Sequence, residues 1–185
     1  MSKKVFQNSL RYFTLKVYTW LFFRVYYRSI RIVGNYKNVK GHIIYAINHQ
    51  NTAMDGLALH FARPGIMVFL ARADIFKNKT AARLLSIMKI LPIYRIRDGF
   101  DSLQQNSEIF DQVIETVINH VPVAILPEGS HEGKHILRPF KKGFARIAFA
   151  IAQNEKISDN VAIVPVGVDY SDYYHFRSKF HPSRL

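Results

Sequence analysis

The chain has 185 residues, 49% hydrophobic and 14% aromatic, with no cysteine and a formal charge of +13. This composition excludes a largely disordered chain, a disulfide framework, a thiolate metal site and a cysteine nucleophile. The length suits one well-packed domain, and the charge points to an anionic partner: nucleic acid, a phosphate-bearing metabolite or an acidic membrane surface.

The first predicted element is a basic, aromatic helical segment over residues 1–30, ahead of a domain over 31–185. No Asp or Glu precedes Asp55, whereas Lys3, Lys4, Arg11, Lys16, Arg24, Arg28, Arg31, Lys37 and Lys40 do. Lys16 and Arg24 enclose an uncharged run of residues 17–23 only. A membrane-spanning helix needs roughly 20 apolar residues. No long apolar core with a small-residue cleavage site marks a signal peptide. Two readings stay open. The segment lies in a membrane interface, with Tyr18, Trp20, Tyr26 and Tyr27 near the headgroups and the cations snorkelling. Or it is a helix packed on its own domain. Its charges gather on no single helical face.

Short strands are expected at residues 31–33 and 42–47, a helix at 54–61, and a buried strand at 66–70. Asp74 is a candidate cap for a helix reaching about residue 88, followed by a strand at 91–97 and a turn at Asp98-Gly99. Helical periodicity in Leu103, Ile109, Phe110, Val113 and Val117 marks a helix from Asp101. A strand at 121–126, a helix at 140–152 and a strand at 161–168 follow. The closing HPSRL offers no evident last element, so the expectation is either a chain cut short at its C-terminus or a missing C-terminal strand. Alternating strands and helices predict an α/β single domain: a mixed, mostly parallel sheet flanked by helices. Such sheets carry their sites at the carboxyl ends of the strands, where His49 and the PEGS segment at 127–130 could share one crevice.

His131-Glu132-Gly133-Lys134-His135 spells H-E-x-x-H, but that motif needs a helix, and Pro127, Gly129, Ser130 and Gly133 give this stretch loop composition. No zinc site is expected there. In AINHQNTAMDG, His49 and Asp55 could form a general base with its orienting carboxylate. Thr52-x-x-Asp55 equally resembles a capping box, and on these residues alone the helix-start reading is the stronger. In ILPIYRIRDG, Arg95 and Arg97 would share one strand face and suit a phosphate, unless they mark a solvated edge. In LPEGS…FKKG, cations and a helix start offer an anion site.

The order NHQNTAMD, PIYRIRDG, LPEGS…FKKG and VAIVPVG, over residues 41–168, resembles the glycerolipid acyltransferase family, whose best-known members are the 1-acyl-sn-glycerol-3-phosphate acyltransferases. The resemblance implies His49 as general base and Asp55 as its partner. Arg97, helped by Arg95, would bind the acceptor phosphate. Glu128, Gly129 and Ser130 would shape the acceptor site, Lys141 would stand at the family's FKxG lysine, and Pro165 would belong to the motif associated with acyl-chain binding. Two departures stand out: H-x5-D replaces the common H-x4-D, and His131 takes the place of a frequent arginine.

The implied reaction moves an acyl group from an acyl thioester, acyl-CoA or acyl carrier protein, to a lysophospholipid hydroxyl. No cofactor, metal or nucleic acid takes part. The implied partners are the lysophospholipid and an anionic membrane surface, and the implied place is the cytoplasmic face of a bacterial inner membrane. Glycerol-3-phosphate or a lyso-ornithine lipid are alternative acceptors. A non-catalytic basic membrane module and a nucleic-acid binder are the alternatives from other classes.

Overall fold

The computed structural model describes residues 5–31, 33–34, 39–94, 101–130, 134, 136–157 and 160–183, with backbone only at 101–105 and 181–183. The elements are α1 (Leu10–Tyr26), β1 (Ser29–Ile30), β2 (His42–Ile47), α2 (Thr52–Ala62), β3 (Val68–Arg72), α3 (Lys79–Ile87), β4 (Ile90–Ile93), α4 (Asp101–Ile118), β5 (Val123–Ile125), α5 (Lys142–Ala152), β6 (Val161–Tyr170) and β7 (Lys179–Ser183). They form one sheet in the order β1-β7-β6-β2-β5-β3-β4. All neighbours are parallel except β6 and β7, which are antiparallel. The sheet is thus mixed and mostly parallel, as expected.

The central strands are apolar at nearly every position because both faces are covered. Tyr45 and Ile47 of β2 face α1 and α2 with Phe23, Ala58, Leu59 and Phe69, while Ile44 faces α4 and α5 with Val113, Val117, Ile147 and Ile151. The one-residue alternation of a strand divides the two cores.

α1 is both docked and apolar outside. Tyr12, Thr19 and Phe23 are buried, Tyr12 donates to Gly65 O (3.4 Å) and accepts from Met67 N (3.3 Å), and Lys16 Nζ donates to Gly65 O (2.5 Å). Leu10, Phe13, Val17, Leu21 and Val25 nevertheless stay exposed. The two sequence readings of this segment are therefore not exclusive. Among the described residues, no helix is long and apolar enough to cross a membrane.

Three expectations are corrected. The C-terminal strand is present as β7, hidden because KFHPS is short, polar and contains Pro182; it pairs through its backbone with β6 and β1. The strand expected at 31–33 lies earlier, as β1, where Arg31 N still reaches Phe180 O (3.1 Å). Asp74 caps no long helix. It pairs with Arg72 across a 3₁₀ turn, and Asn78 caps α3 by accepting from Thr80 N (2.9 Å) and Ala81 N (3.2 Å).

His60 of α2 is fully buried between Tyr12 and Phe69, and neither ring nitrogen has a hydrogen-bond partner. Burial, then the Lys16 charge, pushes its pKa from 6.5 down to about 4. Between these values the unfolded chain binds the proton and the folded chain does not, so folding stability falls as pH drops through that window. The loss approaches about 3 kcal/mol at its acid end. His60→Leu is expected to remove this slope in urea denaturation between pH 7 and 4. An unchanged slope contradicts the assignment.

Candidate active site

β2 leaves the sheet at Ile47, and the next side chain keeps the ladder going. Asn48 Nδ2 donates to Val168 O (3.0 Å) and Asn48 Oδ1 accepts from Val168 N (2.7 Å), which ties the exit of β2 to β6. Asn51 then takes the N-cap position of α2 without a side-chain cap bond, and Thr52 takes φ +43, a left-handed conformation that a β-branched residue rarely adopts.

This curled segment converges on Asp55, which is fully buried. Asp55 Oδ2 accepts from His49 Nδ1 (3.0 Å), Gln50 N (2.8 Å) and Asn51 N (2.8 Å). Tyr170 donates its hydroxyl to Asp55 Oδ1 (2.9 Å). A buried carboxylate is costly unless so satisfied, and these donors, with the positive end of α2, satisfy it. The Thr52-x-x-Asp55 capping box is not formed: the N-cap is Asn51, without a side-chain cap bond, and Thr52 lies inside the helix; Asp55 nevertheless accepts from the N-cap N–H and also holds the imidazole. The extra residue of H-x5-D does not part the pair. With Nδ1–H donating to Asp55, the Nε2 lone pair is the basic one. The His49 side chain is 15% exposed, against none for Asp55, so a substrate atom can reach the ring but not the carboxylate.

Glu128 closes the site from behind. It is fully buried after β5; Oε1 accepts from His49 N (2.9 Å) and Oε2 from Arg138 N (3.2 Å). Arg138 Nη1 donates to Ser130 Oγ (2.9 Å). Gly129, at φ +67, permits the turn, and a Cβ there would stand 3.3 Å from Lys141 Cγ. Lys141 stands at the N-cap position of α5 without a side-chain cap bond, its N–H donating to Pro127 O (2.7 Å), and Lys141 and Lys142 are both exposed at that positive helix end.

His49, Asp55, Glu128, Gly129, Ser130 and Lys141 thus form one connected cluster at the carboxyl ends of β2 and β5. Pro165 stays outside it. Asn48 N donates to Val166 O, so Pro165's missing N–H points away from β2, toward the edge that β7 leaves open until Gly167. Arg95 and Arg97 lie outside the described residues, as do His131, Glu132, Gly133 and His135. Just before the arginines, Asn106 of α4 clamps the backbone of Tyr94 (2.9 and 2.7 Å). No motif or spacing marks Tyr170, or Arg138 as the partner of Glu128 and Ser130.

Glu128→Gln turns one carboxylate oxygen into an NH2 that faces a backbone N–H donor. Unfolding free energy is expected to drop by about 1–3 kcal/mol. Chemical denaturation measures it, and unchanged stability contradicts the bridging role.

A histidine held by a buried carboxylate, at the carboxyl ends of a mostly parallel sheet, belongs to the α/β enzymes. A family model described as Acyltransferase matches residues 29–169. The chain belongs to this acyltransferase family. The crystal structure of the 1-acyl-sn-glycerophosphate acyltransferase PlsC from Thermotoga maritima has a similar fold, with a TM-score of 0.64 and 15% identity, over 94% of this chain and 67% of that one. A search of curated proteins returns no match.

Proposed function

We propose that the chain moves a fatty acyl group from an acyl thioester to the hydroxyl of a lysophospholipid, with 1-acylglycerol-3-phosphate as acceptor. The observation that carries this reading is the His49 ring, held at 3.0 Å by buried Asp55 and still reachable from solvent. His49 Nε2 takes the hydroxyl proton as that oxygen attacks the thioester carbonyl. A tetrahedral oxyanion forms and collapses, the C–S bond breaks, and the thiolate of coenzyme A or acyl carrier protein leaves. The imidazolium then returns the proton to the thiolate. The base contributes about 10²–10⁴-fold. The chemistry needs neither metal nor cofactor.

Arg95 and Arg97 are the proposed partners of the acceptor phosphate, with Lys141 adding positive charge beside Glu128. Pro165 is retained as an acyl-chain motif residue by resemblance alone. The named activity of the similar Thermotoga maritima protein supports the choice of acceptor.

The exposed apolar side of α1 supports an anionic membrane partner. Arg11, Arg24 and Arg28 lie exposed beside it, and Arg24 sits over the Trp20 ring at 5.3 Å. In a cell the place would be the cytoplasmic face of a bacterial inner membrane, where thioester donors are made.

The test is thiol release on anionic vesicles, with coenzyme A and carrier-protein donors. The acceptors are 1-acylglycerol-3-phosphate, glycerol-3-phosphate and a lyso-ornithine lipid. Release is expected to be fastest with 1-acylglycerol-3-phosphate. Equal rates with the phosphate-free acceptor contradict the acceptor assignment, and no release with any acceptor contradicts the reaction.

A further inference from the structure

We infer that Tyr170 is a positioning residue for this reaction: from the end of β6 it holds the Asp55 carboxylate, and through it the His49 ring. The inference rests on the reading of His49 as the base. The family match ends at residue 169, one short of Tyr170.

The two oxygens of Asp55 divide their work. Oδ2 serves three donors, all from residues 49–51 of the same turn. All three donors belong to the segment that Asp55 itself closes, so Oδ2 alone ties the carboxylate only to its own turn. Tyr170 supplies the second point, at 2.9 Å on Oδ1, from a strand 115 residues further along the chain. Two points on different elements tie the carboxylate, and with it the turn, to the sheet.

Tyr170 is itself immobile. Its side chain is fully buried, and its ring packs against Phe180 (5.2 Å), Tyr173 (5.8 Å) and Tyr27 (5.9 Å). Burial, then the Asp55 charge, raises its pKa far above the ordinary tyrosine value, so it remains a donor throughout the working range. Among the described residues, the ionisable groups around Asp55 are His49 on its own turn, Tyr170 on β6, Tyr27 at the end of α1 and Tyr173 after β6. Glu128 faces the His49 backbone from the loop after β5.

The experiment is the pH profile of kcat/KM for Tyr170→Phe and Tyr173→Phe beside wild type, by thiol release with 1-acylglycerol-3-phosphate. Without the Tyr170 hydroxyl, Asp55 concentrates more charge on the imidazolium. The acid limb is expected to move up by about half a unit to one unit, with kcat about tenfold lower. Tyr173 donates instead to Gln50 Oε1 (3.1 Å), so its loss loosens the same cluster without touching Asp55. Its acid limb should stay in place.

A folded Tyr170→Phe whose limb superimposes on wild type overturns the inference. So does an equal shift in Tyr173→Phe. If Tyr170→Phe unfolds, 3-fluorotyrosine at position 170 keeps the ring and strengthens the donor. The limb must then move down, and an unmoved limb is equally decisive. Full activity in His49→Ala removes the base reading itself. The expected large loss in His49→Ala beside an unshifted Tyr170→Phe removes only this inference.

Discussion

His49→Ala is expected to lower kcat/KM for acyl transfer by about 10²–10⁴-fold while leaving the fold intact. The ring is a surface-reachable group whose removal opens no deep cavity, and its backbone N–H can keep its bond to Glu128 Oε1. The alcohol must then lose its proton to water while it attacks. Residual turnover should remain, because positioning of donor and acceptor does not depend on the imidazole. Thiol release on anionic vesicles, normalised to protein folded by circular dichroism, measures the effect. Full activity in this variant contradicts the proposed role.

Asp55→Asn is expected to cost about 10²–10³-fold, for a different reason. The N–H groups of Gln50 and Asn51 both point at the Oδ2 position, so they compel the amide oxygen to sit there. That oxygen can still accept the His49 Nδ1 proton, and the amide NH2 can donate to the Tyr170 oxygen. Geometry and tautomer survive; the negative charge does not. A unit charge about 4 Å from the developing imidazolium is worth about 4 kcal/mol at an effective permittivity near 20. That is about three decades if the proton were fully transferred in the transition state. Asp55→Ala removes the charge and also leaves two buried N–H groups unpaired, so it should cost stability by about 1–3 kcal/mol per group. A thermal melt separates the two variants. Equal melting temperatures for Asn and Ala contradict the hydrogen-bond pattern described for Asp55.

The interior strands were legible because burial on both faces writes apolar runs such as HIIYAI and VAI, and α4 because one covered face writes a helical period. What escaped is held by backbone or by distance. β1 has two residues and β7 carries a proline, so neither has room for a pattern. Asp74 and Asn78 are both good cap residues, and the Arg72 side chain beside Asp74 leaves the capping to Asn78.

At the site, His49 and Asp55 were visible as a pair, but their residues alone favoured an ordinary helix start. The order of the four motifs tipped the reading toward chemistry. In the structure one carboxylate both accepts from the helix-start N–H groups and holds the His49 ring. Glu128 was legible only as part of a PEG turn, because nothing in the sequence says that its carboxylate turns inward to the His49 backbone. Tyr170 was not legible at all: no spacing rule links it to a carboxylate 115 residues earlier.

Asp55 holds the proton on Nδ1 of His49, which makes Nε2 the nitrogen of the proposed base. Nitrogen-15 chemical shifts of the histidine rings test it without any substrate, with the His49 signals assigned by their loss in His49→Ala. In the neutral ring, a protonated Nδ1 and a bare Nε2 are predicted, in wild type and in Asp55→Asn alike. A proton on Nε2 in the wild-type protein contradicts the account.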